Sequence, residues 1–370
     1  METKARRITA GRLAGILSHA GAALLSLLAA APLPFAQTGR PPIRVLGSAG
    51  ELPAGGSGGS AELRALLDRV APGAPITPHG MGHVRVYPLI PMAGRAGAPG
   101  YLFQDPGYLS LDEALGRGAL LVSEKPSPTV PGLDVENIGE RPVLILAGEI
   151  LVGGKQNRIL QSDLLLPPHS GRRDVTAFCV EHGRWTAGES SFGVAGAMAP
   201  AGVRQSAARR SAEAQSDVWR AIGQVASEAG APASPTQSLH DVMKDPKVEA
   251  RAAPRIESVK ESLPADAVGM IAVANGTIYS FDLFCSAPLF EKYREKIVRA
   301  AMIGAPEQVL YFKAPAEPDV MGFLQAARQA RAAYFGSAGL GSRVELTGGG
   351  VRGEALAVEG RAVHTALFLW

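Results

Sequence analysis

Residues 143–160 read VLILAGEILVGGKQNRIL, two apolar runs that are separated by a Gly-Glu step and closed by a glycine pair. The first run lacks polar alternation, which predicts a short strand that is buried on both faces. The second run continues the strand beyond the bend, and Ile159-Leu160 resumes it after the turn. Further short apolar runs, each followed by Gly or Pro, fill residues 84–186. This pattern predicts a predominantly β core.

Amphipathic segments flank this core. Ser110 and Glu113 have the spacing of a capping box before a short helix at residues 111–116. Residues 187–202, rich in Gly, Ala and Ser, predict a loop or mobile flap over the site. Apolar residues at helical spacing predict four more helices, at residues 61–70, 207–229, 289–302 and 320–335.

Turn signals predict two hairpins in the second half of the chain. Asn275-Gly276 separates two apolar runs and suits the left-handed backbone of a two-residue hairpin turn. Glu359-Gly360 folds a second hairpin within residues 355–368. Together with the strands before residue 186, these elements predict an α+β fold with a predominantly antiparallel β core and several flanking amphipathic helices.

The N-terminal segment has the layout of a secretory signal peptide over residues 1–36. Lys4, Arg6, Arg7 and Arg12 precede an apolar run at residues 20–31, and prolines then break that run. We therefore expect an exported protein, periplasmic or secreted, with an uncleaved N-terminal anchor as the alternative.

The mature chain divides into three predicted parts. Residues 37–77 predict a flexible linker with a short helix, because Gly, Pro and Ser dominate most of them. Residues 78–310 predict a main α+β domain, and residues 311–370 a C-terminal helix and β-hairpin packed on that domain.

Charge limits the class of partner. The chain carries 37 Lys and Arg against 34 Asp and Glu, a net charge of +3. The leader has four basic residues against Glu2, which is also +3, so the remaining chain is formally neutral. Nucleic-acid binding depends on clustered Lys and Arg that release counterions, so we expect no nucleic-acid partner. We also expect no membrane partner after the leader is removed.

The chain contains two cysteines, Cys179 and Cys285. An oxidising compartment favours a disulfide between them. Each also lies within a mostly apolar run, as small buried hydrophobic residues do. The sequence leaves both interpretations open.

A first polar block, residues 148–158, interrupts the apolar pattern and marks a candidate site. Lys155 and Arg158 supply charge, and Gln156 and Asn157 supply directional hydrogen bonds beside a glycine turn whose N–H groups can approach a ligand. The glycine spacing is not that of a phosphate-binding loop, and Gln156 stands where such a loop needs Ser or Thr. The alternative is an ordinary β-hairpin with solvated charges.

Glu149 lies between two apolar runs, at the expected boundary of the core. A carboxylate there needs a cation or hydrogen-bond donors, and Lys155, Arg158 and Arg184 are the local cations. Glu149 is therefore a candidate general base, and equally a structural ion-pair partner.

A second polar block, residues 179–185, reads CVEHGRW. Strand alternation places Cys179 and Glu181 on one face and His182 on the other, which counts against a Cys–His pair. Arg184 and Trp185 follow at the strand end, where a guanidinium stacked on an indole can hold a planar or anionic ligand. Neither block supplies a metal-binding cluster or a dinucleotide fingerprint, so we predict no metal site and assign no cofactor.

At these two blocks the sequence resembles a bacterial family, the ARG and Rhodanese-Phosphatase-superfamily-associated protein domain. The likeness covers roughly residues 84–300, with departures at Gly154, Phe178 and His182. The family name implies a link to nucleotide or ADP-ribose chemistry and leaves the activity open. The matching positions are Gly148, Glu149, Leu151, Gly153, Lys155, Gln156, Asn157, Arg158, Cys179, Val180, Glu181, Gly183, Arg184 and Trp185.

Two hypotheses of function follow. In the first, the two blocks meet in a polar pocket that binds a small anionic or nucleotide-like ligand, with Glu149, Glu181 and Arg184 in one hydrogen-bonded cluster. In the second, the same residues form a buried polar network in a non-enzymatic structural or interaction module, which docks a protein partner through the helices at residues 207–229 or 320–335. Whether a reaction is catalysed stays undecided. The candidate residues are catalytic Glu149, Glu181 and Cys179, and ligand-binding Lys155, Gln156, Asn157, Arg158, Arg184 and Trp185.

Overall fold

The computed structural model describes residues 60–92, 104–125, 132–184, 190–307 and 319–370. The predicted signal peptide and most of the predicted linker lie outside these ranges. Within them the chain forms eight helices: α1 (Ala61–Leu67), α2 (Leu111–Gly116), α3 (Ala201–Ala207), α4 (Ala214–Glu228), α5 (Leu239–Lys244), α6 (Pro246–Ser262), α7 (Ala287–Ile303) and α8 (Val320–Gln329). None of the helices in this part of the chain is long and apolar enough to cross a membrane.

Strands make up the rest of the regular structure. Among all the paired strands of the described ranges, only β3 and β6 run parallel, which confirms the predicted α+β fold with antiparallel sheets. The strands are β1 (Val70–Pro72), β2 (Val84–Pro91), β3 (Leu109–Ser110), β4 (Leu120–Glu124), β5 (Gly132–Asn137), β6 (Val143–Ile145), β7 (Glu149–Gly153), β8 (Arg158–Leu160), β9 (Leu164–Leu166), β10 (Arg173–Cys179), β11 (Phe192–Met198), β12 (Gly269–Ala274), β13 (Thr277–Phe284), β14 (Arg331–Gly336), β15 (Ser342–Gly348), β16 (Val351–Val358) and β17 (Arg361–Leu369).

The largest sheet has eight strands in the order β1-β2-β12-β13-β17-β16-β15-β14. The C-terminal strands therefore continue the sheet that holds β12 and β13, and Phe281 of β13 pairs with Leu367 of β17. Asn275 and Gly276 form the predicted turn between β12 and β13, with φ angles of 50° and 77°. Such angles are those of a two-residue hairpin turn.

Helices cover both faces of this sheet. On one face, Met270 of β12 belongs to the same core as Tyr293 of α7. On the other face, Ile271 shares a core with Leu66 of α1 and Leu324 of α8. Because successive strand residues alternate between faces, a strand buried on both sides becomes a continuous apolar run.

A second sheet closes into a six-stranded barrel, formed by β4, β5, β7, β8, β10 and β11. Its strand order is β11-β7-β8-β10-β5-β4. The two end strands also meet, since Ser123 bridges Ser191 and the N–H of Glu124 donates to the Ser190 carbonyl at 2.7 Å. Apolar side chains such as Leu160 fill the interior, and the three-stranded sheet β3-β6-β9 shares this core.

The loop predicted at residues 187–202 is wrong in its central part, because residues 192–198 form β11. This strand pairs with β7, and its register shifts between Val194 and Met198, where Gly196 has a φ of 63°. Pairing with β7 satisfies the backbone of a stretch whose small residues carry little strand signal of their own.

Three helix predictions are too long, since α1 ends at Leu67 and Val70 begins β1, and three helices were not predicted. The helix predicted at residues 207–229 begins only with α4, and Arg210, between α3 and α4, has left-handed backbone with a φ of 52°. The segment at residues 320–335 changes from α8 to β14, whose Tyr334 pairs with Val344 of β15. Pairing with β15 therefore outweighs the helical spacing of apolar residues in this segment. Helices α3, α5 and α6 were not predicted, and α3 begins inside the predicted loop. Pro246 lies in the first turn of α6, where proline is tolerated, and Pro254 lies inside that helix.

Candidate functional site

Arg158 closes one end of the six-stranded barrel. It lies two residues before Leu160 on β8, so both side chains point into the barrel, and Arg158 is only 3 % exposed. Its Nη2 is 3.2 Å from Oε1 of Glu124, and its Nη1 donates to Sγ of Cys179 at 2.7 Å. Because Glu124 ends β4 and Cys179 ends β10, one guanidinium joins the ends of three strands.

A tight glycine turn leads from β7 to this arginine. Gly153 and Gly154 have φ angles of 124° and 54°, and Gly154 lies against the Phe192 ring so closely that a Cβ would overlap it. The N–H of Gly153 donates to Oδ1 of Asn157 at 3.1 Å. The N–H of Lys155 donates to Oε1 of Glu124 at 3.1 Å. The turn is thus fixed by its own polar residues and by the aromatic ring beneath it.

The second block clamps the same turn. Oε2 of Glu181 accepts from the Asn157 N–H at 3.1 Å and from Nε of Arg184 at 2.8 Å. The other nitrogens of Arg184 donate to the carbonyls of the glycine pair and to Oδ1 of Asn157, at 3.1–3.2 Å. Nε2 of Gln156 donates to the Glu181 carbonyl at 2.7 Å. The two blocks therefore meet in space as predicted, with Glu181 and Arg184 in one hydrogen-bonded cluster.

Two supporting elements of this cluster were not predicted. The carbonyl of Thr236, in the segment after α4, accepts from the N–H groups of His182 and Gly183 at 2.9 Å each. The side-chain amide of Gln215 in α4 makes both backbone hydrogen bonds of Cys179, again at 2.9 Å. Gln215 lies beside the apolar face of an amphipathic helix, and no sequence pattern marks it as a partner of the block.

Glu149 belongs to a different network, so the prediction that it joins Glu181 and Arg184 is wrong. The side chain is fully buried, with Oε1 2.6 Å from Nζ of Lys296 and Oε2 accepting from the Leu146 N–H at 2.8 Å. Lys296 also lies 2.7 Å from Asp112. The cation that Glu149 needs thus comes from α7, and not from the three local cations that the sequence suggested.

Burial and charge act in opposite directions on the pKa values of Glu149 and Lys296. Complete burial raises the pKa of Glu149, and the charge of Lys296 opposes that rise. Burial alone would lower the pKa of Lys296, but the charges of Glu149 and Asp112 outweigh it and raise that pKa. A lysine that holds its proton this firmly favours a structural ion pair. The sequence could have indicated the role of Lys296, because it is a charged residue within the apolar face of α7, next to Ile297.

A third buried network borders Gly148 and was also not predicted. Arg204 of α3 makes a two-pronged ion pair with Asp282 of β13, with Nη1 3.1 Å from Oδ2. His364 of β17 lies between two carboxylates, with Nδ1 2.7 Å from Asp163 and Nε2 3.3 Å from Asp282. A Cβ at Gly148 would lie 2.6 Å from Cγ of Arg204, so this position requires glycine.

Charge decides the protonation of that histidine. Burial alone would lower the pKa of His364, but the two carboxylates outweigh burial and raise the pKa to about 9. Burial would raise the pKa of Asp282, but Arg204 and His364 outweigh it and lower that pKa. The network therefore holds charged Arg and His against two carboxylates in the interior. It joins the large sheet to Asp163, in the connection between β8 and β9.

The two cysteines are separate, free and buried. Burial raises the pKa of the Cys179 thiol to about 11, although the charge of Arg158 acts against the rise. Burial likewise raises the pKa of Cys285 to about 11. The disulfide interpretation is therefore wrong for this structure. A protonated, buried Cys179 is also the opposite of an activated nucleophile.

The remaining site predictions have different outcomes. Trp185 lies outside the described residues, so its stacking on Arg184 stays a prediction. The catalytic and ligand-binding roles of the other candidate residues also stay predictions. In the ranges that the structure describes, no group of three or more His, Cys, Asp or Glu side chains is arranged to hold a metal ion.

Comparison with known proteins gives one match. Residues 76–368 match the model of the ARG and Rhodanese-Phosphatase-superfamily-associated Protein domain, so the chain belongs to this family. The match extends beyond the two blocks and includes β14 to β17. No curated protein and no solved structure matches the chain.

Proposed function

We propose that this member of the family is a non-enzymatic structural or interaction module, in which the two blocks form a polar framework that closes the six-stranded barrel. One observation carries the proposal. The Arg158 guanidinium is buried inside the barrel end, and its hydrogen bonds go to Glu124, to Cys179 and to Gln156 at 3.4 Å. Groups that satisfy one another in this way fix strand ends and leave little hydrogen-bonding capacity for a substrate.

The second block supports the same proposal. Glu181 is 4 % exposed, and its carboxylate is taken up by Arg184 and the Asn157 N–H. A general acid or base needs to reach the proton that it transfers. In this geometry the carboxylate of Glu181 instead ties the glycine turn to the end of β10.

The environments of Glu149 and Cys179 also support the framework proposal. Glu149 is fully buried against Lys296, so its carboxylate forms a buried ion pair in the packed core between α2, β7 and α7. The thiol of Cys179 points into the barrel end beside Arg158, and its raised pKa keeps it protonated at neutral pH. Each candidate catalytic group thus has a structural role that its contacts explain.

The competing proposal is a polar pocket for a small anionic or nucleotide-like ligand at the same blocks. Arg184 favours it most, because its side chain is 25 % exposed while it spans both blocks. The two proposals predict opposite responses to loss of Arg158, since a framework residue contributes stability and a site residue contributes affinity.

The decisive experiment compares Arg158→Met, Glu124→Met and the double variant by urea denaturation of the full chain. Each single change leaves one buried charge without its ion-pair partner and should lower the free energy of unfolding by about 3–5 kcal/mol. The double variant should recover most of that loss. Arg172→Met is the control, because that side chain is 65 % exposed, and it should change stability by less than about 1 kcal/mol.

A thermal-shift screen against nucleotides, sugars and carboxylates accompanies these measurements. Unchanged stability in Arg158→Met, together with a screened nucleotide that binds the wild type and not the variant, would overturn the framework proposal in favour of the pocket.

We also propose that the protein is exported, on the strength of the leader architecture. Export predicts a mature N-terminus between Pro32 and Pro42, at the end of the apolar run. N-terminal sequencing of the exported form tests it, and an intact Met1 in a cytoplasmic fraction would contradict it.

A further inference from the structure

A groove of about 240 Å³ lies between the connection from α3 to α4 and the strands β15, β16 and β17. None of its lining residues belongs to the two blocks. Charged residues dominate its lining, with Arg209, Arg210 and Arg352 facing Glu345 and Glu354.

Four of the charges around the groove neutralise one another. Arg210 lies 3.1 Å from Glu345 and 2.7 Å from Glu354, and Arg343 pairs with the same two carboxylates. This quartet holds two positive and two negative charges. It fixes one wall of the groove and leaves that wall without net charge.

The other two arginines converge on one indole. The guanidinium carbons of Arg209 and Arg352 lie 4.8 Å and 4.4 Å from the centre of the Trp370 ring, which is half exposed. Arg209 pairs with Asp217 at 3.9 Å, and that carboxylate lies closer to Arg220, at 2.6 Å. Within the part of the chain that the structure describes, no ion pair is found for Arg352. Among the described side chains, Arg352 therefore brings to this end of the groove a positive charge that no carboxylate pairs with.

Stacking leaves these guanidiniums able to bind. A guanidinium that packs on an aromatic ring uses its flat face, and its N–H groups lie in the plane and stay directed outward. Two guanidinium groups beside one groove can donate paired hydrogen bonds to the oxygen atoms of a carboxylate or phosphate group. Contact with the same indole restricts both side chains, so less conformational entropy is lost when an anion binds.

We propose that this groove binds a small molecule carrying a carboxylate or phosphate group, held by Arg209 and Arg352 beside Trp370. The volume sets the size class, since sites for drug-sized ligands start at roughly 300 Å³. The groove therefore suits an oxyanion with a short carbon skeleton better than a whole dinucleotide. The inference does not depend on the proposed framework role of the two blocks.

Isothermal titration of the full chain with inorganic phosphate and, separately, with citrate tests this proposal at low ionic strength. Wild-type protein should bind one or both, and Arg352→Gln and Arg209→Gln should each weaken that binding at least tenfold. Arg172→Gln removes one exposed arginine elsewhere on the surface and should bind like the wild type. The phosphate and citrate arms show which kind of oxyanion the groove takes.

Two outcomes would overturn the proposal: no binding of either probe by the wild type, or equal binding by wild type, Arg352→Gln and Arg209→Gln. Equal weakening by Arg172→Gln would also overturn it, because attraction would then follow net charge and not the groove. Both groove arginines are partly exposed, so their variants should keep the wild-type melting temperature. The Arg158 and Glu124 experiment uses other residues, and either proposal can fail without the other.

Discussion

Nζ of Lys296 lies 2.6 Å from Oε1 of Glu149, although 147 positions of sequence separate the two residues. The pair joins α7 to the first strand of the glycine turn, and Asp112 completes it from the first turn of α2. Two carboxylates thus share the ammonium group of a lysine that is 5 % exposed. Loss of the lysine would leave Glu149 as an uncompensated buried charge.

Lys296→Met should therefore lower the free energy of unfolding by about 3–5 kcal/mol. Lys296→Met combined with Glu149→Gln should be less harmful, because the buried charge is removed with its partner. Lys292→Met, one turn earlier on the same helix, is the matched control; its side chain is 20 % exposed and its loss should cost about 1 kcal/mol. Urea denaturation measures all three, and equal stability of the two lysine variants would contradict the assigned role.

The sequence predicted the features that depend on local pattern. The buried run at residues 143–147, the Ser110 capping box and the Asn275-Gly276 turn all follow from side-chain periodicity or backbone preference, and the structure has them. The meeting of the two blocks was also predictable, because acids at apolar strand ends need nearby donors.

The remainder depends on contacts between distant segments. The partner of Glu149 is carried by α7, and the network around His364 draws on α3, β13, β17 and the connection after β8. β11 and β14 become strands because β7 and β15 offer unpaired edges, and their own residues give little sign of it. A single sequence shows that a buried charge needs a partner, but the tertiary fold determines which residue is that partner.

Gly154 supplies a sharp test of the turn between the blocks. Gly154→Ala places a methyl group against the Phe192 ring in left-handed backbone, so it should destabilise the protein by about 3 kcal/mol through overlap and strain. Gly193→Ala is the neighbouring control, because its nearest atom would be the Val152 carbonyl oxygen at 4.0 Å, and it should change stability by less than about 1 kcal/mol. Thermal melting followed by circular dichroism distinguishes them, and similar melting temperatures would show that the turn tolerates a side chain.

Thiol chemistry tests the barrel end independently of stability. Cys179 and Cys285 are buried with raised pKa values, so a chromogenic disulfide reagent should label neither quickly at pH 7.5 in the folded protein. Two thiols per chain should react after denaturation without reductant. Fast labelling of Cys179 in the folded state would revive the nucleophile hypothesis, and absence of both thiols after denaturation would show a disulfide.

The His364 network predicts the pH dependence of stability. The two carboxylates raise the pKa of His364 to about 9 in the folded protein, above the ordinary value of 6.5. A raised folded pKa gives stability that is fully present below pH 6.5 and is lost as the pH rises towards 9. The loss across that window should be on the order of 3 kcal/mol.

His364→Gln should be less stable at pH 6 and should show a much flatter profile from pH 6.5 to 9. His169→Gln alters an exposed histidine and should keep the wild-type profile. Urea denaturation at half-unit pH steps measures the three curves, and parallel curves for wild type and His364→Gln would mean that His364 does not carry the charge between Asp163 and Asp282.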